Sequence, residues 1–397
     1  MRISSSRLRV IRLLWTALFS LFLILNVDQF AYSAGAGPAP KFWMLGIFSL
    51  TLIMFLPGLK LGVLLSRPLL GWTAGYVLLS AAWVGHADNL ESAIDGWMMV
   101  VTTGLLVVTA LLAYPSVAFR SRVWTAMLWA ALILAVLSVV QEYSNPAAYV
   151  FAEAGQGIEG RAAGLFLNPN IAAQALIMIL ACLMAHGSPR ANVIALALSA
   201  IGMLLTFSRG GILAWVVLAV AATARGRLPK WFILVLATCA ALFFLMGDSI
   251  LEALSAWIAP ENRNSLERLA WLLGQGELTD FSAGEREAVA SFAWQQFLAS
   301  PVLGHGVGYM WVWTADAGTH NLFLRFMVEY GTLGILIFPL FLIASVRSSV
   351  LGSDRAWMWF VACIAVMLSM FSHNMMEQAT FLLPWLALCL MPEGPSR

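Results

Sequence analysis

Charge is what this sequence lacks most. Only 11% of its 397 residues are charged, where a soluble globular domain has about a quarter. With 61% hydrophobic residues and a mean hydropathy of +0.85, the apolar surface exceeds what one soluble core can hide. Lipid must therefore be the solvent for most of the chain. The net charge is +2 and the basic residues form no single patch, so nucleic acid is not the expected partner. Cysteine is scarce as well. Cys182, Cys239, Cys363 and Cys389 each lie in or beside an apolar run, and none is spaced as a metal ligand. They read as small buried hydrophobes. A phosphate-binding loop and a dinucleotide fingerprint are both missing. No His/Asp/Glu cluster has ligand spacing, and Asp280 and Asp316 do not form an Asp-x-Asp pair, so no metal site is expected. No internal repeat is evident.

What is present is a series of long apolar runs. A membrane-spanning helix needs about 20 apolar residues. Such runs fall near 10–32, 41–59, 68–86, 93–113, 123–143, 168–186, 191–207, 210–225, 230–247, 321–346, 355–372 and 376–391. This predicts an all-α polytopic membrane protein with about twelve transmembrane helices. The basic N-terminus, with Arg2, Arg7, Arg9 and Arg12, precedes a run long enough to span and lacking a small-x-small cleavage site, so it reads as a retained first helix. The organisation is nine spans over 1–247, one long polar loop over 248–320 and three spans over 321–397.

Orientation follows from the basic residues. With the N-terminus inside, the inner connections hold fifteen of the 22 lysines and arginines. Most acids fall outside, among them Asp88, Glu91, Asp95, Glu153 and Glu159. Both termini are then cytoplasmic and the long loop is external. Within that loop, 283–300 has a helical pattern, with Phe292, Trp294 and Phe297 forming an apolar face suited to a membrane surface. Ser300-Pro301 ends it, and Gly304-His305-Gly306-Val307-Gly308 reads as a flexible turn.

Three arginines sit outside against the positive-inside rule. Arg161 precedes Asn168-Pro169-Asn170, Arg209 lies in Ser208-Arg209-Gly210-Gly211, and Arg286 is on the loop helix. A guanidinium fork binds phosphate oxygens in pairs. Three forks at headgroup depth point to a phosphate or pyrophosphate headgroup, although each could instead pair with an acid such as Glu159, Glu285 or Glu287. His320 stands where the loop re-enters the tenth span. Arginines nearby favour its neutral form, which can accept a proton as a general base. A helix-start histidine bonding backbone is the plainer alternative. Arg325 and Glu329, four apart on one helix face, read as a structural ion pair. Gly331 and Gly334 permit close helix packing. Asn168, Asn321, His373 and Asn374 are candidate cavity-lining residues, and for His373 and Asn374 helix capping is the other reading.

Taken in order, these segments resemble the O-antigen ligase/polymerase superfamily. The resemblance rests on Arg161 with Asn168-Pro169-Asn170, the Ser208–Gly211 turn, Arg286 with Trp294, the Ser300–Gly308 turn, and His320-Asn321 followed by Glu329, Gly331 and Gly334. It covers about 160–340, and the span layout extends it to the whole chain. Within the superfamily the chain looks most like the O-antigen ligases. That resemblance implies a GT-C-type fold in a Gram-negative inner membrane, with the active site on the periplasmic side. It further implies an inverting, metal-independent glycosyltransferase that needs no cofactor. The donor would be an O-antigen chain on undecaprenyl pyrophosphate and the acceptor lipid A–core, both presented by the surrounding membrane lipids. It assigns pyrophosphate binding to Arg161, Arg209 and Arg286, with Arg286 and His320 catalytic. An O-antigen polymerase and a protein O-oligosaccharyltransferase share these motifs. A lipid-linked oligosaccharide flippase is the alternative from another class, although it would be expected to carry related halves and mid-membrane charges.

Overall fold

The computed structural model describes residues 5–57, 59–118, 121–149, 161–247, 249, 252, 270, 281–313, 318–349 and 354–392. Much of the predicted loop, including Asp280 and Asp316, lies outside them, as does Glu159. Among the described residues every regular element is helical and no strand occurs. Sixteen α-helices are numbered here in chain order. They are α1 (Ser5–Ile24), α2 (Val27–Ser33), α3 (Pro40–Phe55), α4 (Leu61–Leu65), α5 (Pro68–Val84), α6 (Leu90–Ala113), α7 (Arg122–Ser144) and α8 (Pro169–His186). There follow α9 (Pro189–Thr206), α10 (Arg209–Ala224), α11 (Trp231–Leu245), α12 (Phe281–Ala299), α13 (Leu322–Tyr330), α14 (Gly334–Arg347), α15 (Arg355–Ser369) and α16 (Ala379–Leu390).

Each of the twelve apolar runs carries a helix. Five stretches are long and apolar enough to cross a bilayer: Leu90–Ser116, Arg122–Ser144, Pro169–His186, Pro189–Thr206 and Leu322–Arg347. The pair Arg7–Ile24 and Val27–Ser33, bent by 50° at its break, makes a sixth if taken as one span. Pro40–Phe55, Pro68–Val84, Arg209–Ala224, Arg355–Ser369 and Ala379–Leu390 are apolar but shorter. Among the described residues, helix length and composition thus support five or six crossings, fewer than twelve.

The helix starts follow from local chemistry. Asn89, Asn168, Ser188, Ser208, Asn321 and Asp354 each cap the helix that follows with a side-chain oxygen. Each satisfies a backbone N–H that the first turn leaves unpaired. Pro169 and Pro189 occupy first helical positions, where a missing N–H costs nothing.

The chain divides into two compact units. The first comprises Met1–Leu128 with Glu285–Arg397, and the second Trp129–Gly284. In the first, α6 packs on α3 and α5, α16 on α1 and α6, and α14 on α5 and α13. In the second, α8 packs on α9 and α10 and is buried along nearly its whole length.

The predicted tenth span is broken. α13 and α14 are separated by a short 3-10 turn at Gly331–Leu333, where Gly331 has φ 65°. The cause is the glycine segment 304–308, whose backbone runs against the end of α13. His305 N–H donates to Val328 O at 2.9 Å and Gly306 N–H to Glu329 O at 3.0 Å. Gly304, Gly306 and Gly308 have φ values of 70°, 92° and 79°. A Cβ on Gly304 would lie 2.5 Å from Gly331 N, and one on Gly308 would lie 2.3 Å from Ser92 O. The expected flexible turn is therefore a packed junction. Ser92 Oγ donates to Gly308 O at 2.6 Å, and Trp83 Nε1–H donates to Leu303 O at 2.6 Å.

The expected membrane-facing surface of α12 is also revised. Ala293 and Phe297 are buried with Met310, Trp313 and Val328, with Phe292 packed against them. Only Trp294 of the three aromatics stays exposed, because the chain returns over the helix and covers the other two.

Gly304→Ala should lower the thermal stability of the detergent-solubilised protein by about 1–3 kcal/mol, as for an overpacked core. Gly284→Ala, with nothing near the added methyl, should not lower it. Equal melting temperatures for the two variants would contradict the packed junction.

Candidate functional site

One end of the first unit gathers the C-terminal end of α5, the N-terminal end of α6, the start of α13 and the segment between α15 and α16. Its charged centre is Arg325 on α13. Arg325 Nη2 lies 2.6 Å from Glu377 Oε1, and its Nε lies 3.4 Å from Glu329 Oε1. The Arg325 and Glu329 side chains are 4% and 1% exposed, and Glu377 is 12% exposed. One guanidinium thus serves two carboxylates in a site that is almost dry. The guanidinium also faces the Trp311 ring at 5.8 Å. Its third task is to donate from Nη1 to the backbone carbonyl of His373 at 3.1 Å. The expected Arg325–Glu329 pair is present, with Glu377 as an unforeseen third member. A single acid in the apolar stretch 355–392 was the available signal.

His320 lies two residues before α13 in the left-handed region, with φ 51°. Its neighbours hold it there. Asn321 caps α13 by accepting from Leu324 N–H at 3.1 Å. Thr319 Oγ1 arches over the histidine to donate to Asn321 O at 2.9 Å. Such a conformation costs free energy, and histidine tolerates it better than a β-branched residue would. The half-buried His320 imidazole is held below its ordinary pKa of 6.5, first by burial and then by the Arg286 guanidinium on α12. It is therefore neutral near pH 7. His373 stands beside it, with ring centroids 5.6 Å apart and planes at 68°. Burial, Arg325 and His320 push His373 down to about 3.

The second unit presents a parallel arrangement. The ends of α7 and α9 meet the starts of α8 and α10. Arg161 Nε donates to Thr206 O at 2.8 Å, and its Nη2 donates to Asn170 Oδ1 at 3.0 Å. Ser208 Oγ donates to the same Asn170 oxygen at 3.0 Å. Ala162 N–H donates to Leu205 O at 3.0 Å. This stitching draws Arg161 to the turn that carries Arg209, the first residue of α10. On the other side Glu142 Oε2 accepts from Ala163 N–H and Gly164 N–H, both at 2.5 Å. Asn168 caps α8 by accepting from Asn170 N–H at 2.9 Å. Glu142 escaped notice in the sequence because its partners lie 21 and 22 residues away.

Within their units, then, the structure brings together His320, Arg286, Asn321 and His373 in one place, and Arg161, Arg209 and Asn168 in another. Asn168 and Asn321 act as helix caps, and Asn374 Oδ1 accepts from Ser372 Oγ at 3.0 Å. Among the described residues, no three His, Cys, Asp or Glu side chains are gathered as for a metal ion.

Among the described residues the chain is all-helical, and its apolar helices fit a membrane protein. Residues 194–339 match the family model described as O-antigen ligase, consistent with the O-antigen ligase/polymerase superfamily, a glycosyltransferase-like group of enzymes. The matched stretch contains Arg209, Arg286, His320, Arg325 and Glu329 and leaves out Arg161 and His373. No curated protein matches the chain.

Two stability predictions follow from the first-unit cluster. Arg325→Ala leaves two buried carboxylates without a cation and should cost about 3–5 kcal/mol, read as a large drop in melting temperature. A normal melt would contradict the three-way ion cluster. The His373 pKa is depressed on folding, so its contribution is full above the unfolded value near 6.5 and is lost as pH falls towards 3. By pH 5 this amounts to about 2 kcal/mol. The loss should be smaller in His373→Phe, and an identical pH dependence in both proteins would contradict it.

Proposed function

We propose that the protein transfers a glycan from a polyprenyl pyrophosphate donor to a sugar hydroxyl, as an O-antigen ligase. The donor would be O-antigen on undecaprenyl pyrophosphate and the acceptor lipid A–core. The reaction would take place on the periplasmic side of a Gram-negative inner membrane, with both termini cytoplasmic and about twelve crossings in all. The observation that carries this reading is His320, an imidazole held neutral in a strained turn within the family-matching stretch, with an arginine acting on it.

In the proposed mechanism His320 accepts the proton of the acceptor hydroxyl as that oxygen attacks the anomeric carbon. The bond from that carbon to the pyrophosphate oxygen breaks, and undecaprenyl pyrophosphate leaves with the electron pair. Attack opposite the leaving group inverts the anomeric centre. Negative charge grows on the pyrophosphate as it departs, and arginine is suited to meet it because its fork matches two phosphate oxygens and stays charged. Arg286 is assigned to that task in the first unit and Arg209 in the second. Arg161 is assigned with Arg209, and its bonds to Thr206 and Asn170 fix the turn from which Arg209 projects. Fixed guanidinium charges supply what a divalent cation supplies elsewhere, so the proposed reaction needs no metal.

His320→Ala and Arg286→Ala proteins should insert at normal levels and leave lipid A–core without O-antigen in cells lacking the wild-type gene. Wild-type amounts of O-antigen-bearing lipopolysaccharide in either would sink the assignment. Long chains left on undecaprenyl mark a ligase, and single repeats would mark a polymerase instead. The pH profile gives a second check. Because burial and Arg286 disfavour the imidazolium, the acid limb of kcat/KM should lie below pH 6.5. In Arg286→Gln it should move up towards 6.5, and an unmoved limb would count against His320 as the base.

A further inference from the structure

We propose that His373 is a positioning residue for His320, a neutral aromatic wall that fixes the imidazole and receives its proton-bearing form. The inference rests on the reading of His320 as the base. Its support is geometric and comes from three sides. First, the two rings meet edge to face at 5.6 Å and 68°, so one ring presents its positive edge to the other's electron-rich face. Second, His373 is not held through its Nδ1. Its Nδ1 is buried and has no hydrogen-bond partner. It is held instead through its backbone, by the Arg325 Nη1 bond to its carbonyl, and Arg325 is itself locked by Glu329 and Glu377. Third, the ring lies flat against the backbone of Gly318, two residues before His320. A Cβ there would fall 2.6 Å from His373 Cε1 and 2.8 Å from Nε2. Only glycine at 318 lets the His373 ring reach this place.

An unpartnered buried nitrogen costs free energy. The function of the wall follows from charge. When His320 takes the acceptor's proton it becomes a cation beside Arg286. A second imidazolium would oppose that step, whereas a neutral aromatic face attracts the cation. The groups facing the pair are Arg286 from α12, Arg325 and Glu329 from α13, and Glu377 from the segment before α16, with Trp311 over Arg325. The Arg325 charge is balanced by its two carboxylates, and Arg286 is the cation that acts on His320.

The test uses the purified full-length protein in lipid nanodiscs with two readouts. One is steady-state transfer from a polyprenyl pyrophosphate-linked glycan to lipid A–core. The other is the pH dependence of His320 acylation by diethyl pyrocarbonate, resolved by peptide mass spectrometry, which needs no turnover. His373→Ala should lower kcat at least tenfold with KM within twofold, and should move the His320 acylation midpoint down, because the cation loses the face that attracts it. His373→Phe keeps the ring and should recover most of kcat and the wild-type midpoint. Gly318→Ala keeps both histidines but displaces the wall, and should reproduce the alanine result. It also serves as the test if His373→Ala fails to fold. Wild-type kcat and midpoint in folded His373→Ala or Gly318→Ala would overturn the proposal, as would His373→Phe matching His373→Ala. A shifted midpoint in a protein without transferase activity would uphold the positioning role and remove the assigned reaction.

Discussion

The shared charge of Arg325 is the constraint on which the rest of the first unit's site depends. A guanidinium this deeply buried is tolerable only because Glu329 lies on its own helix and Glu377 reaches it from the segment before α16. Glu377 is sequence-distant, so the cluster fixes where α16 begins relative to α13. Arg325 then uses Nη1 to hold the His373 carbonyl. Everything at that end of the unit, including the ring beside His320, is placed with reference to one cation.

The glycine junction meets a second requirement. A carboxylate at the end of α13 and a histidine at its start need the helix to stop within nine residues. The break at Gly331 allows this, and the backbone of 304–308 fills the space at the break with hydrogen bonds in place of side chains. The second unit solves its similar problem differently. There Asn170 Oδ1 serves Arg161 and Ser208 together, so one amide joins two chain segments.

Much of this was legible in the sequence, for reasons that can be named. Apolar runs forecast the helices because a lipid-facing helix must be apolar along its whole length. Runs do not report length after tertiary breaks, so the single run at 321–346 hid the division into α13 and α14. The Arg325–Glu329 pair was visible because i,i+4 spacing is local, whereas Glu377 and the His320–His373 contact span 48 to 53 residues and leave no periodic trace. Asn168 and Asn321 illustrate a different limit. Pattern suggested cavity lining for them and missed that both cap helices. The aromatic face of α12 misled because amphipathicity fixes which face is buried and does not say whether lipid or protein covers it.

The central claim is that a neutral histidine and fixed arginine charges suffice for glycan transfer from a polyprenyl pyrophosphate to lipid A–core. The most direct measurement combines purified protein, undecaprenyl pyrophosphate-linked glycan of defined anomeric configuration and lipid A–core, with and without a chelator. The account predicts an inverted glycosidic product in equal yield under both conditions. A retained anomeric centre, a yield abolished by chelation, or no transfer to lipid A–core would contradict it.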